Sequence, residues 1–394
     1  MTRSVIGKTS LRLMPFYMTQ YMVLSMYQSY FPVYLSSIGI GDELRGVLMA
    51  LAPLVAMLGQ PVWGNAGDRA GSKNRLLQLL CLAAAVLMLL MAVWTNVLYL
   101  ALMFGAFAFF YMSIQPMGDA IAMESLKREG LPFGPVRASA TVAFAVLSAV
   151  SGLFLTGHAE RSVYASAVLL LAAGICVFLM PTVPGHRKEK SRGGMQEIFR
   201  YRHLLWMMGF SALMMVGMTF FYNGYSVYFT EDLGGSETAL GICYFISAMT
   251  ELPFLSGSRK LYEKFGIGPL LAFSAGIMGL RWLILGLTES WAAAMVSQLM
   301  HCGCFLFMSF AMIHFVDKVI PPEYKAAGQM FYTLFTLSAA KIIGSLVSGL
   351  ISGAWGLDTM FLVGAGISFA AMLGVILYSL RHREVLQPVA KKEE

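Results

Sequence analysis

The chain has 394 residues, 58% of them hydrophobic and only 12% charged, and its mean hydropathy is +0.68. Soluble domains carry roughly 25% charged residues, so water is excluded as the solvent for most of this chain. A net charge of +7 would suit nucleic acid only if basic residues gathered on one soluble face, whereas here they fall in short loops between apolar runs.

Met1 to Arg12 is basic and runs straight into an apolar stretch of spanning length, the pattern of an uncleaved first crossing rather than of a signal peptide. From there, apolar runs of about 20 residues, the length that crosses a hydrocarbon core, recur twelve times. They lie near 14–37, 44–66, 75–94, 97–123, 137–157, 162–182, 204–230, 237–257, 267–287, 290–315, 327–352 and 357–380. The longest polar stretch, Pro184 to His203, separates the sixth from the seventh and contains Arg187, Lys188, Lys190, Arg192, Arg200 and Arg202. The expected division is therefore a first six-helix bundle over 1–183, a cytoplasmic linker over 184–203, and a second six-helix bundle with a short tail over 204–394. Pro61 to Gly71 has a degenerate echo in Pro253 to Gly266, as expected of two pseudo-symmetric halves.

With both termini cytoplasmic, 23 of the 28 basic residues fall in cytoplasmic segments and only Arg45 and Arg161 on the opposite side. Short cytoplasmic loops retain Lys and Arg, so this bias sets the orientation in a cell inner membrane. Arg137, Arg281 and Lys341 remain within predicted spans, together with Asp119, Glu251 and His301. A charge at the bilayer centre costs on the order of 3 kcal/mol, so these groups are expected to face one another or a wet cavity.

The five cysteines (Cys81, Cys176, Cys243, Cys302 and Cys304) all lie in apolar segments and read as small buried hydrophobes. Cys302 and Cys304 are too close together for a zinc or dithiol motif. With no His/Asp cluster at ligand spacing, neither a metal site nor a membrane-embedded enzyme is expected. Nor is a soluble sensor domain, since few residues lie outside the spans.

Gly64-Asn-Ala-Gly-Asp68-Arg69-Ala-Gly71-Ser-Lys73, between the second and third spans, resembles the loop signature of the major facilitator superfamily. The resemblance implies twelve transmembrane helices in two bundles around a central cavity, with this loop as a cytoplasmic gate. Pro116-Met-Gly-Asp119, then Phe133-Gly-Pro-Val-Arg137 and Phe144, resembles the lactose permease and phenylpropionate permease group within that superfamily. Asp119 to Arg137 is eighteen residues, Arg137 to Phe144 seven, and Arg281 to His301 twenty, the group's spacings. Glu251 falls at the group's helix 8 glutamate.

This likeness implies that Asp119 and Arg137 hydrogen-bond a hydroxyl-rich substrate while Phe144 stacks on it. Glu251 would serve substrate and proton together, with Arg281 and His301 tuning it. The resulting expectation is a monomeric proton-coupled sugar symporter without a cofactor, its partners a small-molecule substrate and the lipid bilayer; an aromatic carboxylate or a nucleoside is the alternative substrate. Three departures stand out: Cys304 occupies the position of the group's proton-carrying carboxylate, Phe144 replaces a tryptophan, and Asp119 replaces a glutamate.

Several residues keep two readings. Arg137 binds substrate or snorkels to headgroups; His301 couples protons or is a satisfied core histidine; Lys341 faces the cavity or packs on its helix. Tyr27, Tyr222 and Tyr225 line the cavity or pack, and His314 is expected to be interfacial.

Overall fold

A computed structural model of the protein describes residues 6–185 and 195–382. The charges that the sequence places in the linker at Arg187, Lys188, Lys190 and Arg192, and those of the tail beyond residue 382, lie outside the described residues. All regular structure among the described residues is helical, in fourteen α-helices joined by short 3₁₀ and π segments.

The helices in chain order are α1 (Lys8–Ser37), α2 (Asp42–Arg69), α3 (Lys73–Met91), α4 (Val97–Tyr111), α5 (Ile114–Glu129), α6 (Gly134–Leu155) and α7 (Arg161–Cys176). Then follow α8 (Arg202–Val227), α9 (Glu237–Phe265), α10 (Ile267–Leu287), α11 (Trp291–Val296), α12 (His301–Val319), α13 (Lys325–Tyr332) and α14 (Ala340–Arg381). Nine helical segments among the described residues are long and apolar enough to cross a membrane. Leu58, Leu102, Leu153 and Val168 are each more than 60% exposed, which in water would be an aggregation hazard and in lipid is the expected outer surface.

Local sequence explains where the helices begin and end. The Asn96 side chain accepts from the amides of Leu98 and Tyr99 at 3.0 and 3.2 Å, an N-cap that starts α4 sharply. The last apolar run, Ala327–Arg381, is 55 residues long, yet Gly356 within it has φ 89° and ψ 165°, where the chain leaves helical geometry. A left-handed φ suits glycine because it has no Cβ to clash.

Contacts with α8 show what happens there. Before the break, Gly344 lies against Thr219 and the Ser348 hydroxyl accepts from Asn223 at 3.1 Å, so sequence numbers rise together. Beyond it, Met360 meets Gly224, Gly364 meets Phe220, and Gly374 meets Phe210, so the numbers run in opposite senses. The chain therefore reverses at Gly356 without a polar loop.

Two compact units emerge, one of Met1–Glu189 with Gly235–Met249, the other of Lys190–Gly234 with Thr250–Glu394. In the first, α1 packs on α6 and α7, α3 on α7 and α4, and α2 on α4. Hydroxyl pairs join α1 to α6: Ser25 with Ser148 at 2.7 Å, and Tyr30 with Ser151 at 2.6 Å. Such bonds between helices stabilise packing where lipid offers no hydrophobic drive. In the second, α14 packs on both α8 and α10, and α10 packs on α12. The opening turns of α9 group with the first unit, where the Tyr30 hydroxyl donates to the Glu237 carbonyl at 3.3 Å; the sequence had assigned them to the second half.

Candidate functional site

The first unit gathers polar groups around Asp119 on α5. The Tyr17 hydroxyl donates to Asp119 Oδ1 at 2.7 Å and the Gln115 amide donates to the same oxygen at 2.9 Å. Gln115 reaches it because it lies four residues earlier on the same helix face, whereas Tyr17 comes from α1. Both donors use Oδ1, which leaves Oδ2 available to a further donor.

One turn along α1 from Tyr17, the Tyr21 ring lies under the Arg137 guanidinium, 4.6 Å from its carbon to the ring centroid. Stacking of this kind holds the cation at a cost far below that of burying it alone. Phe144, seven residues after Arg137 on α6, is half-buried and packs against the core of the first unit. Tyr27 is 6% exposed and sits among Phe31, Phe104, Phe107 and Tyr111 with ring centroids 5.3–6.2 Å away, an aromatic cluster in which its role is packing.

Between α2 and α3 the loop motif is clasped by the chain that follows α7. The Asn74 side chain donates to the Pro181 carbonyl and accepts from the Val183 amide, both at 3.1 Å. The Lys73 amide donates to the Val183 carbonyl, and the Gly185 amide to the Ala70 carbonyl, each at 2.9 Å. At Gly185 a Cβ would stand 2.6 Å from the carbonyl oxygens of Gly67, Asp68 and Ala70, so only glycine can approach the end of α2 this closely. Arg69 closes α2 and Gly71 forms the turn. Lys73 pairs with Glu124 at 3.4 Å, and Glu124 also holds Arg128 at 2.6 Å. The acid that engages the motif lysine is therefore Glu124; Asp68 makes no ion pair among the described residues and instead lines a cavity of about 120 Å³ with Gly64, Lys73 and Ser113.

The second unit builds a different cluster around Arg281, which is fully buried on α10. One guanidinium nitrogen donates to His301 Nδ1 at 2.9 Å and the other to the Gln298 side-chain oxygen. The guanidinium carbon stands 4.3 Å over the Phe221 ring and 5.1 Å from that of Trp282. Arginine can only donate, so Nδ1 of His301 is the acceptor and the ring hydrogen is on Nε2. That nitrogen lies 3.6 Å from Glu251 Oε1. No carboxylate among the described residues lies within ion-pair distance of Arg281; rings, an amide and a neutral imidazole hold its charge.

Cys304 is buried one turn beyond His301, its thiol donating to the Met300 carbonyl at 3.4 Å and its own carbonyl accepting from the Ser274 hydroxyl. Its thiol also lies against the Arg281 guanidinium. Tyr222 and Lys341 meet, the ammonium 5.7 Å from the ring centroid. Tyr225 is buried and stacks on Phe221 at 4.6 Å, and His314 lies between Tyr262 and Phe310 at 5.2 and 4.5 Å. Thr333–Ala339, just before the helix that carries Lys341, is a π-helical stretch in which the buried Thr336 hydroxyl has no hydrogen-bond partner among the described residues; such bulges often accompany function.

The sequence pattern of the MFS_1 like family matches residues 10–363. The chain belongs to that family. Its membership fits the superfamily resemblance of the loop motif, and the MFS_1 like chain is a multi-pass membrane protein. It is 23% identical over 376 residues to a maltose permease of Geobacillus stearothermophilus, covering 92% of this chain and 93% of that protein. It is 26% identical to a probable 3-phenylpropionic acid transporter of Escherichia coli strain K12, covering 76% of this chain and 80% of that one. Among solved structures, a mutant of the nucleoside transporter NupG superposes with a TM-score of 0.85 at 17% identity, covering 94% of this chain and 99% of that one. The last likeness is one of fold.

Sequence reasoning found the charged members of both clusters and missed the neutral groups that hold them: Tyr17, Tyr21, Gln115, Phe221 and Gln298. Helical spacing carried a signal for most of them. Tyr17 and Tyr21 are one turn apart, Gln115 precedes Asp119 by four residues, and Gln298 precedes His301 by three. Phe221 has no such spacing to a charge in its own helix.

Proposed function

We propose that this MFS_1 like protein is a secondary active transporter that couples proton entry to uptake of a small sugar or oligosaccharide by alternating access. In this reading it crosses the inner membrane twelve times with both termini cytoplasmic: α1 and α9 add to the nine apolar segments, and the last of those counts twice because of the reversal at Gly356. Asp119, with one carboxylate oxygen unclaimed by Tyr17 or Gln115, accepts from substrate hydroxyls. Arg137 donates to them in a forked geometry, and Phe144 offers a ring face.

Glu251 takes the proton. The observation that carries this assignment is the run from Arg281 through His301 to Glu251, in which the imidazole is held neutral with its hydrogen toward the carboxylate. A neutral imidazole between a fixed cation and an acid lets the acid gain or lose a proton without a compensating ion being carried. Protonation removes a charge whose presence in the membrane costs on the order of 3 kcal/mol, which favours reorientation of the loaded protein. Proton-driven uptake of a sugar panel into proteoliposomes tests the reading; absence of substrate-induced proton movement for every sugar would overturn it.

A second substrate class, an aromatic carboxylate, is favoured by one observation. Arg281 has no carboxylate partner among the described residues and lies beside the Phe221 and Trp282 rings, an arrangement complementary to an aromatic acid. Aromatic acids run beside sugars in the same assay separate the two.

A further inference from the structure

A concavity lined by basic, aromatic and apolar side chains lies where α8 begins and α14 ends, within the second unit. It has a volume of about 710 Å³ and is bordered by Arg202, His203, Trp206, Tyr378, Arg381 and His382. None of its described lining residues is acidic. His203 Nδ1 and the Tyr378 hydroxyl are hydrogen-bonded at 2.8 Å, the His382 ring stands 4.6 Å from that of Tyr378 and 5.0 Å from that of His203, and Trp206 lies 5.6 Å from Tyr378. The two imidazoles and the phenol thus meet edge-on and tilted in one cluster, and both arginine side chains are exposed at its rim. Neither Arg202 nor Arg381 forms an ion pair among the described residues, in contrast with Arg200, which is held by Glu197 at 2.8 Å.

The surface that continues from this basic rim is apolar. Trp206 is 53% exposed, Leu377 59% and Leu373 55%. Tryptophan at such a boundary is the residue of a membrane interface, apolar on one side and wet on the other. Two guanidinium groups that form no ion pair among the described residues suit a phosphate, which they bind in forked pairs, and exposed leucines beside them suit acyl chains. A free phosphate would use only the rim.

We infer that this concavity binds an anionic phospholipid, with Arg202 and Arg381 holding the phosphodiester headgroup, His203 and His382 beside it, and the acyl chains lying along Leu377 and Leu373. Basic pockets between spanning helices recognise acidic headgroups in this way.

The test uses the full chain in a mild detergent, with native mass spectrometry after addition of dioleoyl phosphatidylglycerol, dioleoyl phosphatidylcholine or inorganic phosphate. The expected result is retention of phosphatidylglycerol in preference to phosphatidylcholine. The double variant Arg202→Gln, Arg381→Gln is expected to weaken that retention about thirtyfold, about 1 kcal/mol for each basic side chain. Equal retention of the two lipids, or undiminished phosphatidylglycerol retention by a variant that stays monodisperse, overturns the proposal. Inorganic phosphate that displaces phosphatidylglycerol at equal concentration assigns the rim to a free anion and also overturns it. Should the double variant not fold, quenching of Trp206 by brominated phosphatidylglycerol, read as the difference between the natural protein and Trp206→Phe, decides the question: quenching at lower lipid content than with brominated phosphatidylcholine supports the site, and equal quenching refutes it.

Discussion

Arg281 donates to Nδ1 of His301 at 2.9 Å, and this bond determines which face of the imidazole meets Glu251. The residues are twenty positions apart in sequence and lie on different helices. Together they fix a tautomer, present an N–H to a carboxylate, and leave a buried cation balanced by uncharged groups.

Glu251→Gln is expected to bind and exchange substrate while failing to accumulate it, because the amide keeps the size of the side chain but cannot take up a proton. Counterflow and gradient-driven uptake, measured on the same proteoliposomes, separate the two activities. Accumulation at the natural level by this variant removes Glu251 from coupling.

Gln298→Leu leaves one guanidinium nitrogen of Arg281 without its acceptor in a dry site. Hydrogen bonds to charged groups contribute about 1.5–3 kcal/mol, so thermal unfolding in detergent is expected to shift down measurably. Gln298→Glu keeps an acceptor and adds a charge opposite the cation, and is expected to retain or raise that stability while disturbing transport. Equal stability of Gln298→Leu and the natural protein contradicts the assigned bond.

Tyr17→Phe removes one of the two donors to Asp119 and leaves Gln115 in place. With a net worth of about 1 kcal/mol for the bond, the half-saturation constant for substrate is expected to rise about fivefold with little change in folding. A variant whose uptake is unaltered at all substrate concentrations places Tyr17 outside the binding site.

Asn74→Leu breaks both bonds that tie α3 to the segment after α7, whereas Asn74→Asp keeps the acceptor for the Val183 amide and loses only the donor to Pro181. At about 1 kcal/mol each, stability is expected to fall in the order natural, Asp variant, Leu variant, as read by thermal unfolding. Gly185→Ala, whose added methyl would meet three carbonyl oxygens at 2.6 Å, is expected to cost about 1–3 kcal/mol from overpacking.

Much of this was legible in the chain because lipid makes strict demands: apolar runs declare helices, and ionisable residues inside them declare a purpose. Asp119, Arg137, Glu251, Arg281 and His301 were all visible for that reason. Tyr17, Phe221 and Gln298 were missed, since a tyrosine, a phenylalanine or a glutamine in a spanning helix costs little; helical spacing pointed to Tyr17 and Gln298 but not to Phe221. The motif gives no partner for Lys73, and the one it has, Glu124 on α5, reaches it across the fold from 51 residues away. Tyr27, which the sequence left between cavity and packing, lies within a ring cluster with Phe31, Phe104, Phe107 and Tyr111.

The reversal at Gly356 has a consequence for biogenesis. Ala327–Arg381 emerges from the ribosome as 55 residues with no hydrophilic spacer, and a single rod of that length would extend roughly 80 Å at 1.5 Å per residue, more than twice the thickness of a hydrocarbon core of roughly 30 Å. One backbone angle that favours glycine therefore decides whether the final stretch enters as a hairpin, and with it the side of the membrane on which the carboxyl terminus is delivered.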